Sequence, residues 1–148
     1  MKNGTPIQIK LTTIMKQDKE TEKHHFDVKG NAVKKGDSLY LLYDEEYQLE
    51  GAQLVKVPVI MKINQDGSVN LTRSAEQRTK LNFTLEGSTV MNYQTPYGMM
   101  ALEVQTKAIE HQPQAQDYSG RLTIKYQLHA EQGLLGDYHL ELDYQEIN

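Results

Sequence analysis

Apolar residues recur at every second position through most of this chain. Val55, Val57, Val59, Met61 and Ile63 share one phase, and Val69 and Leu71 continue it after a polar break. That is the period of a half-buried strand, with β-branched residues favoured on the covered face. Asp66-Gly67 marks the turn between the two runs. A two-residue loop there would set Ile63 against Asn70, an apolar row against a polar one. A type I turn over Gln65-Asp66, with Gly67 in a left-handed bulge, adds one residue and pairs Ile63 with Val69, Met61 with Leu71 and Val59 with Arg73. A slip of one residue moves a whole row to the other face, so the apolar match selects the bulged loop. Arg73 is thereby expected to continue an inward, apolar row.

The same alternation organises the rest of the chain. Ile7, Ile9 and Leu11 open a strand that Thr13 and Met15 extend, and residues 16–23 read as a charged connector. Phe26 and Val28 follow, ending near Gly30-Asn31. Leu39, Leu41, Tyr43, Glu45 and Tyr47 share a face, and Glu50-Gly51 turns the chain into the central hairpin. Residues 74–80 read as a polar connector before Leu81, Phe83 and Leu85. A three-residue loop at Glu86-Gly87-Ser88 would place Phe83 opposite Met91 and Leu81 opposite Tyr93. The turn Thr95-Pro96-Tyr97-Gly98 pairs Tyr93 with Met100 and Met91 with Leu102, since proline presets the first central dihedral. Val104 and Thr106 extend that row, and residues 111–118 read as a loop. Leu122, Ile124, Tyr126, Leu128 and Ala130 alternate strictly, and a turn at 133–136 leads to Tyr138, Leu140, Leu142 and Tyr144.

No segment keeps the spacing of three and four that a helix requires. About ten strands joined by short turns fold most simply as a single all-β domain over 1–148, an up-and-down antiparallel barrel whose closure satisfies the exposed edges. A sandwich is the competitor, but it needs long crossing connections, and the chain offers few.

Composition narrows the function classes. With 148 residues, a formal charge of −4 and a pI near 5.7, the chain has no basic footprint for nucleic acid or an anionic membrane surface. It has no cysteine, which excludes disulfides and thiol chemistry and agrees with a reducing cytoplasm, the expected location. Residues 1–11 alternate and carry charge, unlike the apolar core of a signal peptide.

Several runs give the chain a family likeness: Leu39-Tyr40-Leu41-Leu42-Tyr43-Asp44-Glu45-Glu46, Val69-Asn70-Leu71-Thr72-Arg73-Ser74, Phe83, Tyr93-Gln94-Thr95 before Gly98, and Leu102 with Thr106. Gly120-Arg121-Leu122-Thr123-Ile124-Lys125-Tyr126 is the most distinctive. With these the chain resembles the YwiB-like family of small bacterial proteins. The resemblance spans nearly the whole chain and implies a lipocalin-like (calycin-type) barrel, but no activity. Ala75 departs from the glycine common after Arg-Ser in that family and leaves the connector conformation open.

Arg73 carries the sharpest chemistry. A guanidinium cannot be neutralised, so an inward position demands a carboxylate or a bound anion. Glu45 shares the inward phase and is the natural partner, while Tyr43, Tyr93, Thr106 and Tyr126 could add hydroxyl hydrogen bonds. One expectation is a small amphipathic or anionic ligand held at Arg73. The other is a structural Arg73–Glu45 pair inside a filled barrel serving as an interaction module through the polar loops at 16–23 and 111–118. No cofactor is implied. His24 and His25 point to opposite faces of a strand, and His129 and His139 are read in opposite phases, so no metal site is expected. Asp44, Glu45 and Glu46 read as a solvated strand end rather than paired catalytic acids, and no catalytic constellation is found.

Overall fold

The structure, a computed structural model, describes residues 4–48, 53–114 and 118–147. The turn expected at Glu50-Gly51 lies outside them. Ten strands follow in order: β1 (Thr5–Gln17), β2 (Glu20–Lys35), β3 (Ser38–Gln48), β4 (Leu54–Ile63), β5 (Val69–Ser74), β6 (Arg78–Phe83), β7 (Thr89–Thr95), β8 (Gly98–Pro113), β9 (Gly120–Ala130) and β10 (Gly133–Glu146). They form one antiparallel sheet in the order β6-β5-β4-β3-β2-β1-β10-β9-β8-β7, a nearly closed up-and-down barrel in which β1 pairs with β10 and the ladder is interrupted between β6 and β7. The central hairpin has the bulged register, with Ile63 opposite Val69, Met61 opposite Leu71 and Val59 opposite Arg73, and Gly67 adopts φ +93°.

Consecutive β6 and β7 lie at the two ends of the hydrogen-bonded order, so the expected pairing of Phe83 with Met91 and Leu81 with Tyr93 does not occur. Side chains hold this seam instead. Thr89 Oγ1 donates to the Asn82 carbonyl at 2.6 Å. The Gln77 amide donates to Gln94 O at 3.0 Å and accepts from Gln94 N at 2.9 Å, standing in for a neighbouring strand's peptide group. Leu85, expected in the row of Leu81 and Phe83, is exposed in the loop.

Several strands run longer than their patterns indicate. β1 and β2 meet at a turn of Asp18 and Lys19, which shortens the expected 16–23 connector. β2 passes through Gly30 because that residue lets β3 approach closely: a Cβ there would collide with the Leu42 carbonyl oxygen. Residues 111–113 belong to β8, not to a loop, after a bulge between Thr106 and Ala108 shifts the inward phase from Thr106 to Ile109. A second irregularity, at Leu134/Gly136, replaces the expected turn with strand.

The inward rows make one apolar core that includes Ile7, Ile9, Leu41, Met61, Val69, Phe83, Leu122, Ile124 and Leu142. Phe83 of β6, a strand that packs beside β8, reaches Tyr126 of β9 inside the barrel, with ring centroids 4.7 Å apart, and the buried apolar rows of the other strands join the same cluster. The barrel is therefore filled at that level. Strand direction places the turns at 18–19, 75–77, 96–97 and 131–132 at one end, here called the mouth.

Candidate functional site

Near the mouth the inward rows turn polar. Glu45 of β3 and Arg73 of β5 flank β4, where Glu45 opposes Val57 and Arg73 opposes Val59. The Arg73 side chain keeps 35% of its surface exposed and that of Glu45 only 9%. Arg73 Nε and Nη2 both donate to Glu45 Oε1, at 3.0 and 2.7 Å. Tyr47, one strand repeat beyond Glu45, donates its hydroxyl proton to the same oxygen at 2.8 Å and accepts from Arg73 Nη2 at 2.9 Å. Three donors thus converge on one carboxylate oxygen. Arg73 Nη1 and Glu45 Oε2 make no hydrogen bond among the described residues.

The electrostatics follow from burial and this pair. Burial, the largest single influence, pulls the Arg73 guanidinium down, but Glu45, Tyr47 and Tyr43 together outweigh it, so the net shift is upward and the charge persists. Tyr47 is pushed up to about 12, by burial first and then by its hydrogen bond to Glu45. Tyr43 and Tyr126 are driven well above the ordinary tyrosine range, chiefly by burial, and both lie close enough to sense the charges of Glu45 and Arg73. Every hydroxyl here is a neutral donor at physiological pH.

Of the residues singled out in the sequence, Arg73 and Glu45 meet directly, and Tyr43 is buried on the same row. Tyr126 is wedged between Phe83 and Tyr138, the latter stacked at 4.9 Å. Thr106 pairs with Tyr126 on the neighbouring strand. The Tyr43 hydroxyl and Thr106 Oγ1 are buried with no hydrogen-bond partner. Tyr93 stands apart: it is 41% exposed, opposite the half-exposed Met100 on a hairpin that outruns β9, and no hydrogen bond joins it to Arg73 among the described residues. Glu45, expected on a solvated strand end, is buried instead.

Two contacts escaped the sequence reading. Tyr47 carries the alternation of Tyr43 and Glu45, and that phase is the signal that marks it. His111 of β8 places Nε2 2.8 Å from the Tyr144 hydroxyl and stacks on that ring; the phase slip between Thr106 and Ile109 is its clue. His129 and His139 share the outward phase, contrary to expectation, and lie against Gln127 at 3.1 Å and Glu141 at 3.2 Å respectively. Among the described residues no group of three His, Asp or Glu side chains is arranged to hold a metal.

Ten antiparallel strands in a nearly closed ring, with an arginine tethered inside the mouth, define an up-and-down β-barrel whose chemistry sits on its inward rows. The chain belongs to the family described as "Domain of unknown function (DUF1934)", which it matches over residues 9–142. It is 30% identical over 129 residues to the "Uncharacterized beta-barrel protein YwiB" of Bacillus subtilis (strain 168), covering 87% of this chain and 85% of that protein. It also resembles the crystal structure of the ywiB protein from Bacillus subtilis, with a TM-score of 0.79 and 26% identity, covering 100% of this chain and 96% of the other.

Proposed function

We propose that this barrel binds a small amphipathic molecule at its mouth, seating the polar end on Arg73. The supporting observation is unused hydrogen-bonding capacity: among the described residues Arg73 Nη1 and Glu45 Oε2 are uncommitted, and the Tyr43 and Thr106 hydroxyls are buried without partners. A buried hydroxyl left unpaired costs about 1–3 kcal/mol. A purely structural ion pair gives no reason to retain two. Because Glu45 already neutralises Arg73, a carboxamide or alcohol that accepts from Nη1 and donates to Oε2 suits the site better than a full anion such as a carboxylate. Thermal unfolding with decanamide and decanol, and with decanoate as the anionic contrast, tests this. A ligand at a hundred times its Kd adds about 2.7 kcal/mol, which would raise Tm by several degrees in the native chain and not in Arg73→Met. No rise with any headgroup, or an equal rise in the variant, contradicts it.

A second reading is a non-enzymatic interaction module with a filled barrel. The contiguous cluster of buried apolar side chains inside the barrel favours it, as does the exposed apolar hairpin bearing Val90, Tyr97 and Met99. On that reading Arg73→Met lowers stability and changes no binding.

A further inference from the structure

We propose a second binding site on the outer wall, a groove over β1, β10, β9 and β8 that takes a phosphate monoester carrying an apolar group. The register builds it. Ile14 opposes His139, His139 opposes Lys125, and Lys125 opposes Ala108 just past the β8 bulge. Tyr126 and Leu140 are buried in the core, so Lys125 and His139 face outward. Lys107 is the extra residue of the bulge and is exposed beside Lys125. Bulges commonly re-aim a side chain next to a functional surface. Lys16, one repeat along β1 from Ile14, completes the cluster. The groove has a volume of about 370 Å³, with Ile14 as its outward-facing apolar side chain beside the lysine stems, a volume within the roughly 300–1,000 Å³ of small-molecule sites.

Like charges set side by side on a sheet are destabilising, yet among the described residues none of these lysines forms an ion pair. Lys16 opposes Asp137 across the ladder without an ion pair; Asp137 instead accepts from Gln127 Nε2 at 2.7 Å. Lys107 reaches only Gln105 Oε1, at 3.3 Å. His139 is engaged by Glu141 at 3.2 Å. Among the described residues Lys16 and Lys125 have no partner at all. Three ammonium groups against one groove carboxylate leave a surplus of two positive charges, in a chain with 20 acidic and 16 basic residues. A phosphate monoester carries about −1.5 to −2 near neutral pH and matches that surplus, whereas a monocarboxylate does not.

Titration calorimetry with phenyl phosphate tests the site. The expected result is saturable, salt-sensitive binding that weakens by about tenfold or more in Lys107→Gln/Lys125→Gln. Phenol and inorganic phosphate should each bind more weakly, and Arg73→Met should leave the affinity unchanged, which separates this groove from the mouth. Sedimentation with phosphatidylcholine vesicles, plain or doped with phosphatidic acid, distinguishes sources. Retention on doped vesicles alone marks a lipid headgroup, and phenyl phosphate binding without retention marks a free ester. No saturable binding, or affinity retained in the folded double variant, overturns the proposal.

Discussion

The body of the barrel and its mouth are made from the same alternating strands, yet they solve different problems. In the body, inward apolar side chains pack into one buried cluster, Phe83 against Tyr126 among them, and residues such as Ile9, Leu41, Val69 and Leu142 are sealed from solvent. At the mouth the rows end in Glu45, Arg73 and Tyr47, and the pair is bound at one carboxylate oxygen while other polar atoms stay uncommitted. Burial of apolar area stabilises the body in proportion to area, at roughly 25 cal/mol per Å². A partly exposed ion pair stabilises little, because desolvation offsets most of its attraction. The difference teaches that the mouth is the part of the molecule whose residues stability alone does not explain.

Substitutions should sharpen that contrast. Phe83→Ala removes a fully buried ring that packs on Tyr126 and should cost about 3–5 kcal/mol in urea unfolding, whereas Tyr93→Ala at the rim should stay within about 0.5 kcal/mol. Glu45→Gln strands the Arg73 charge; with that side chain 35% exposed, about 2 kcal/mol is expected, below the 3–5 of a fully buried broken pair. Adding Arg73→Met should restore much of that loss, and a purely additive double variant would deny the coupling. At the seam, Gln77→Ala removes two hydrogen bonds to Gln94 and should cost about 1 kcal/mol. Amide exchange should then quicken in β6 and β7 while the β1–β10 ladder keeps its protection.

The smallest expected effect lies at the opposite end of the barrel. Burial holds the His111 imidazole below its ordinary 6.5, so the unfolded chain binds a proton that the folded chain refuses. The stability it contributes is present above pH 6.5 and drains as pH falls through the lower folded value. His111→Phe should flatten the dependence of urea stability on pH between about 7 and 5; an unchanged slope would place the titrating group elsewhere.

Much of this architecture is legible in the alternation alone. The register of Ile63 with Val69 and Val59 with Arg73 follows from matching apolar rows, and that match brings Arg73 beside Glu45. The seam is not legible, because a polar loop with Gly87 marks a hairpin as readily as a gap, and only the Gln77 and Thr89 contacts decide. The bulge at Lys107 hid the end of β8: a reading locked to the phase of Val104 and Thr106 treats Ile109 and His111 as out of step. Tyr93 shares the inward phase of Met91, but phase does not report where a strand outruns its neighbours.

The most direct test is an NMR titration of the native chain with decanamide, following the side-chain Nε–Hε resonance of Arg73 and the backbone amides. The account predicts that the Arg73 resonance moves saturably, together with amides of residues 43–47 and 73, while those of Ile7 and Leu142 stay still. A stationary Arg73 resonance, or shifts gathered on the outer wall alone, would contradict it.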